Sequence, residues 1–138
     1  MKTYAKGSNA ERKLIHRVFD LGFVATRTAG SGSTSLPAPD LLILGKGIKL
    51  AVEAKAWDSD YLHLAKGQMD ELISWSRTAD FIPVIGWKKN RTEWVFLNPE
   101  DFNKSEKNYI LSWNKAEKKG KSLEVVLGLQ KGLMNEKQ

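Results

Sequence analysis

The chain has 138 residues, a length that fits a single domain spanning residues 1–138, and we expect residues 131–138 to fray from its core. It contains no cysteine and two histidines, which excludes disulfides, zinc–thiolate sites and thiol nucleophiles and argues against a histidine-rich metal site. No apolar stretch approaches the roughly 20 residues of a membrane span, so the composition predicts a soluble, cytoplasmic protein.

The net charge of +6 is unevenly distributed along the chain. Residues 1–55 carry nine Lys or Arg against four Asp or Glu, whereas residues 56–138 carry thirteen against twelve. A basic surface suits a nucleic acid, because neutralised phosphates release their counterions. Charge alone, however, is more typical of a generic basic protein.

A first helix is predicted from Ser8, and Gly22 is the signal that ends it. Its apolar stripe follows helical spacing and consists of Leu14, Ile15, Val18 and Phe19. Glu11 has two interpretations. It completes a capping box with Ser8, in which its carboxylate bonds the Ser8 amide. It also lies on the buried stripe, four residues before Ile15, where a carboxylate can face an active site.

Residues 23–27 predict the first strand, and a polar loop over residues 28–35 follows it. The loop is rich in glycine and serine and leads directly to Asp40. It is either a plain connector or a segment whose amides and hydroxyls approach a phosphate backbone. Arg27, just before it, is either a phosphate clamp or a solvated strand end.

A β-hairpin is predicted between Leu41 and Val52, because two apolar runs flank the turn signal at residues 45–47. In the second strand successive side chains alternate between faces. Glu53 and Lys55 therefore point to the same face from neighbouring positions.

The position of Asp40 depends on the register of this hairpin. If residues 45–48 form a four-residue loop, Leu44 pairs with Lys49 and Asp40 lies opposite Glu53. A three-residue loop would turn the aspartate to the other face. We favour the first register, which brings two carboxylates and an amine together. They form either a site for a divalent cation and a phosphate or a solvated polar face, and the spacing leaves both open.

The rest of the chain predicts a mixed α/β fold, with a central mixed sheet flanked by helices. We expect the five tryptophans to pack in the core or at a subunit interface rather than to stack on bases. The remaining predicted segments are a polar connector at 57–63, a helix at 65–77, strands at 81–87 and 92–97 around a basic turn, a short helical piece at 98–102, a strand at 109–113, a flexible loop at 115–121 and a short helix at 122–129.

The chain resembles the archaeal-type Holliday junction resolvases of the PD-(D/E)xK nuclease superfamily over residues 4–130. The resemblance implies a restriction-endonuclease-like fold. The matching pieces occur in the family's order and are Lys6-Gly7-Ser8 with Glu11-Arg12, Gly22-Phe23, Arg27 with residues 29–32, Pro39-Asp40, Glu53-Ala54-Lys55, Ile82-Pro83-Val84 and Ser122-Leu123-Glu124-Val125.

This resemblance implies a homodimeric nuclease that resolves four-way DNA junctions with Mg²⁺, or with Mn²⁺ in its place. It favours the active-site interpretation of Glu11, which with Asp40 and Glu53 would bind the metal. The implied catalytic residues are Glu11, Asp40, Glu53, Lys55 and Ser31, and the implied DNA-binding residues are Lys6, Arg12, Arg27, Ser31 and Gln68. The alternatives are a related nuclease that acts on other DNA and a non-catalytic DNA-binding dimer.

Overall fold

The computed structural model describes residues 2–28 and 36–129, without the side chains of residues 2–6 and 8. Its first helix, α1, spans Lys2–Asp20. The prediction that the helix begins at Ser8 is wrong, because the preceding residues continue the helix and place Ser8 in its interior. Gly22 ends the helix as predicted, with a φ of 91° that glycine adopts without strain.

The central sheet has five strands in the order β1-β2-β3-β5-β6. Strands β3 and β5 are parallel and the other neighbours are antiparallel, so the predicted mixed sheet is confirmed. The strands of this sheet are β1 (Val24–Arg27), β2 (Leu41–Gly45), β3 (Ile48–Lys55), β5 (Ile82–Trp87) and β6 (Val95–Leu97).

A second, three-stranded sheet has the order β4-β8-β7. It is antiparallel throughout. The elements outside the central sheet are β4 (Tyr61–Ala65), α2 (Lys66–Ala79), a 3₁₀ turn (Pro99–Asp101), β7 (Asn103–Lys104), β8 (Asn108–Ser112), α3 (Trp113–Lys119) and α4 (Leu123–Val126).

The hairpin of β2 and β3 adopts the predicted register, in which Leu44 pairs with Lys49. The turn itself is shorter than expected, because Gly45 pairs with Ile48 and leaves two residues between the strands. Both turn residues have positive φ, 52° at Lys46 and 84° at Gly47, as in the primed turns that match the twist of a hairpin.

Two apolar clusters pack on opposite faces of the central sheet. On one face α1 and α4 cover the sheet, and Leu14, Val18 and Leu123 belong to one apolar cluster with buried residues of β2 and β3. On the other face α2 and the second sheet cover it, with Met69 and Leu62 in the cluster. Strand β3 is consequently buried on both sides, which explains why its polar end residues lie in a largely enclosed place.

Two further expectations differ from the structure. The connector at 57–63 contains the start of β4, whose Leu62 and Leu64 alternate with exposed neighbours. The segment 115–121, expected to be a flexible loop, lies mostly in α3, which Ser112 caps by accepting a hydrogen bond from the Lys115 amide at 3.1 Å.

The strands at 82–87 and 95–97 form the expected hairpin, and most of their large apolar side chains pack in the two clusters, whereas Ile82 is exposed. Pro83 pairs with β3 alone, since β6 begins its pairing only at Ile85, and a residue without an N–H donor is tolerated where only one side of the strand is paired. No helix in the part of the chain that the structure describes is long and apolar enough to span a bilayer.

Candidate active site

Glu53 and Lys55 stand at the carboxyl end of β3, on the face of the sheet that α2 covers. The Lys55 Nζ atom lies 3.8 Å from the Glu53 Oε2 atom. Only 9% of Glu53 is exposed to solvent. A carboxylate buried to this extent needs charged or hydrogen-bonding partners, because its desolvation alone is costly.

The register of the β2–β3 hairpin places Asp40 next to Glu53. Asp40 precedes β2 by one residue, and its Oδ2 atom accepts a hydrogen bond from the Ala54 amide at 2.9 Å. Asp40 and Glu53 are close enough to share a side-chain hydrogen bond. The backbone N–H of Thr28 donates to the Asp40 carbonyl at 3.1 Å, which ties the end of β1 to the same place.

Gln68 completes this group of side chains from the first turn of α2. Its Nε2 atom donates to the Glu53 Oε2 atom at 2.7 Å. The sequence predicted Gln68 as a DNA contact, whereas the structure places its amide against the carboxylate, where it orients Glu53. Glu71, one helical turn later, lines the same cavity, and it was missed although the three-residue spacing from Gln68 puts both on one helix face.

The crowding of acids changes the protonation of Glu53. Burial and the nearby Asp40 carboxylate raise the pKa of Glu53 to about 7, and Lys55 and Gln68 offset only part of this effect. Burial also raises the pKa of Glu11, with a further contribution from Asp40. Raised carboxylate pKa values at a common place are typical of functional sites.

Glu11 approaches this place from the other face of the sheet, where α1 packs. Its Oε1 atom lies 3.2 Å from the Arg27 Nε atom, and this ion pair lowers the pKa of Glu11 against the effect of burial. The charges of Asp40 and Lys55 still act on Glu11. Within residues 2–28 and 36–129, no three carboxylate or imidazole side chains form a cluster tight enough to hold one ion.

The pair of Asp40 and Glu53 is therefore the part of the site that fits a divalent cation. Both supply carboxylate oxygens, the ligands that Mg²⁺ prefers, and Mg²⁺ keeps several waters, so two carboxylates are enough. A positive charge between them would also relieve the repulsion that raises the pKa of Glu53. Beside them lies a cavity of about 130 Å³, lined by residues 37–40, Glu53 and three side chains of α2.

The remaining predicted residues lie around this centre or outside the described part of the chain. Arg12 is exposed on α1, and its Nη1 atom donates to the Asn9 Oδ1 atom at 2.8 Å. Lys6 lies in α1 but its side chain is not described, and Ser31 falls outside the described residues. The catalytic, metal-binding and DNA-binding roles of all these residues stay predictions.

Comparison with known proteins places this site in a family. The family model of the archaeal Holliday junction resolvases (Hjc) matches residues 2–133. The crossover junction endodeoxyribonuclease Hjc of Archaeoglobus fulgidus is 30% identical over 105 residues, which cover 76% of this chain and 77% of that protein. The crossover junction endodeoxyribonuclease Hje of Saccharolobus islandicus is 31% identical over 97 residues, covering 68% and 72% of the two chains.

A solved structure supports the same relationship. The structure of Archaeoglobus fulgidus Hjc, a Holliday junction resolvase from an archaeal hyperthermophile, superimposes with a TM-score of 0.79 at 26% identity. The match covers 87% of this chain and 99% of the other. The predicted restriction-endonuclease-like α/β fold is thereby confirmed. From its sequence, its fold and the residues gathered at the end of β3, the chain belongs to the archaeal Holliday junction resolvase family.

Proposed function

We propose that this protein is a divalent-metal-dependent endonuclease that binds four-way DNA junctions as a homodimer and cuts opposing strands. The observation that carries the proposal is the meeting of Asp40, Glu53 and Lys55 at one end of the central sheet. Two carboxylates and an ammonium group next to a cavity are the parts that metal-assisted phosphodiester hydrolysis requires. The names of the relatives supply the substrate, a crossover junction.

Asp40 and Glu53 would hold Mg²⁺ or Mn²⁺, and Glu11 would join them once a cation draws it from Arg27. When bound, the cation polarises the phosphodiester and makes its bound water a stronger acid. The protein side chains do the rest. Gln68 holds the Glu53 carboxylate in place through its 2.7 Å hydrogen bond.

Lys55 is the residue best placed to act on the reacting phosphate. Its ammonium group lies beside Glu53, so it can orient the attacking water or stabilise the negative charge that develops in the transition state. Arg12 and Arg27 add positive charge along the same end of the molecule, where they would contact the DNA backbone without reading its sequence.

A homodimer explains how one small domain would act on a branched substrate. Two copies related by a two-fold axis present two identical sites at a fixed spacing, and these match two strands of like polarity in a four-way junction. Recognition then depends on branched shape and on phosphate charge, which makes binding strongly dependent on salt.

The experiment compares three DNA substrates of matched sequence, a four-way junction, a flap and a linear duplex, each incubated with Mg²⁺, with Mn²⁺ or with EDTA. We expect symmetric cuts in the junction alone, and only with a metal. Asp40→Asn should reduce the rate by about 10²–10³-fold, since a bound metal contributes several kcal/mol to the transition state, while junction binding persists.

The other outcomes identify the competing functions. Equal cutting of all three substrates would indicate a related nuclease of broader substrate range. Junction binding with no cutting by the wild type in either metal would indicate a non-catalytic DNA-binding protein. Sedimentation of the free protein and of its complex with the junction tests the homodimer. A complex in which a separate monomer binds each junction arm would contradict it.

A further inference from the structure

Trp57 differs from the other tryptophans of the chain in its exposure. Trp87 and Trp94 are buried, Trp75 and Trp113 are partly buried, and Trp57 is exposed with 38% of its surface accessible. Trp57 is therefore the one tryptophan whose ring does not pack in the core, and its expected place at a subunit interface stays a prediction. The exposed part of this large apolar ring gives up the free energy that its burial would provide, and the ring lies next to the candidate active site.

Its position connects it to the proposed catalytic residues. Trp57 lies two residues after Lys55, and the Lys55 Nζ atom stands 5.3 Å from the centre of the indole ring. The same ammonium lies 3.8 Å from Glu53. Anything that stacks on the exposed indole is consequently within reach of a phosphate held between Lys55 and the carboxylates.

The backbone around Trp57 is firmly held, so the ring is a prepared surface. The indole N–H of Trp87 donates to the Trp57 carbonyl at 3.0 Å. Asp58, the residue after Trp57, accepts a hydrogen bond from the Asn90 side-chain amide at 2.7 Å. Lys89 pairs with Asp60 at 3.2 Å, which fixes the segment to the basic turn of the β5–β6 hairpin.

A basic groove borders the residue between Lys55 and Trp57. It has a volume of about 370 Å³ and is lined by Asn9, Ala10 and Lys13 of α1, by Ala56 and by residues 88–90. Lysines and amides of this kind suit the phosphate backbone of a nucleic-acid strand. Trp57 follows the groove residue Ala56 in the chain, and single-stranded nucleic-acid sites combine a positively charged groove with aromatic rings on which the bases stack.

We infer that Trp57 is a stacking platform for a base that lacks a stacking neighbour at the branch point, and that it determines how the DNA strand is seated beside Lys55. The inference rests on the proposed function for the identity of the substrate. At a branch point the bases lose a stacking neighbour, and the indole replaces it while the adjoining phosphates lie in the groove near Lys13 and Lys88.

The test places 2-aminopurine, a base whose fluorescence falls when it stacks, at each nucleotide that flanks the branch point of a four-way junction, with EDTA present. The proteins are the wild type, Trp57→Leu, Trp57→Phe and Tyr61→Leu, the last a control at an exposed aromatic residue of β4. We expect the wild type, Trp57→Phe and the control to quench at least one position. Trp57→Leu should lose this quenching and bind the junction about 10-fold more weakly, as expected for one lost base–aromatic stack.

Other outcomes separate this inference from its rivals and from the proposed function. If Trp57 only holds Lys55, Trp57→Leu slows cleavage at saturating protein with Mg²⁺ but leaves affinity and quenching unchanged, which overturns the inference. If Trp57→Leu lowers the subunit association measured by sedimentation, the ring belongs to a protein interface and the inference also falls. A wild type that quenches through Trp57 but never cuts refutes the proposed function alone.

Discussion

Replacing Glu53 with glutamine should stabilise the metal-free protein at alkaline pH. Glu53 is buried next to Asp40, and its carboxylate is kept there against both desolvation and repulsion. Glutamine has nearly the same shape and can still accept the hydrogen bond from Gln68, but it carries no charge. The substitution therefore removes an unfavourable interaction from the folded state while it removes a proposed metal ligand.

The size of the effect follows from the pKa of Glu53, which rises from 4.5 to about 7 on folding. A carboxyl group with a raised pKa in the folded state contributes stability below its unfolded pKa and loses that contribution as the pH rises through its folded pKa. For Glu53 this stability is lost between pH 4.5 and about pH 7. At about 1.4 kcal/mol per pH unit of difference, the wild type should lose about 3 kcal/mol relative to Glu53→Gln between these limits.

The assay is urea unfolding in EDTA at pH 4.5 and pH 8, with Glu71→Gln as the control. Glu71 lines the same cavity but is exposed, so its substitution should leave the pH dependence unchanged. Adding Mg²⁺ at pH 8 should recover stability in the wild type and not in Glu53→Gln, because only the former keeps both carboxylates. A stability difference between the wild type and Glu53→Gln that is constant from pH 4.5 to pH 8 would refute the reasoning.

Three further substitutions test other contacts. Gln68→Leu removes the hydrogen bond that lowers the pKa of Glu53, so the acidic limb of the cleavage pH profile should move up by about 0.7 pH unit, the equivalent of about 1 kcal/mol. Arg27→Gln removes the partner of Glu11, and if it also removes one phosphate contact, the slope of log affinity against log salt should fall by about 0.9. Gly45→Ala should cost about 2 kcal/mol in thermal unfolding, since its Cβ would lie 2.8 Å from a core phenylalanine ring at a φ of 147°.

Each of these predictions has an outcome that contradicts it. An unchanged pH profile for Gln68→Leu would mean that the amide does not act on the carboxylate during cleavage. If Arg27→Gln has the same slope of log affinity against log salt as the wild type, Arg27 does not contact the DNA backbone. For Gly45 the comparison is Gly47→Ala, where φ is also positive but nothing lies within 4 Å of the added Cβ, so an equal loss at both positions would show that crowding is not the cause.

The parts of the fold that the sequence predicted correctly are those with a strong local signal. The two apolar runs and the turn signal at residues 45–47 favoured the hairpin register that the structure adopts, and this register places Asp40 next to Glu53. Helix α2 and the β5–β6 hairpin followed from their periodicity in the same way. These elements carry most of the candidate site.

The errors arose where a local pattern competes with a tertiary one. Ser8 and Glu11 have the spacing of a capping box, but the helix continues through both, and a capping pattern by itself cannot show whether the preceding residues are already helical. Strand β4 was hidden because its alternation involves only Leu62 and Leu64, and it gains stability from pairing with β8, whose residues lie 43 or more positions later in the chain than their partners. The ion pair of Glu11 with Arg27 joins two separate elements and has no sequence signature.

The backbone amide of Ala54 donates a hydrogen bond to Asp40, and this contact determines which amino acids position 54 can accept. Residue 54 serves the proposed active site through its main chain, and every amino acid except proline offers the same N–H group. The nature of its side chain is decided by the packing on the opposite face, where Ala54 belongs to the apolar cluster under α1. A survey of tolerated substitutions should therefore find small apolar residues accepted at position 54 and proline rejected, even though the residue lies between two members of the signature motif.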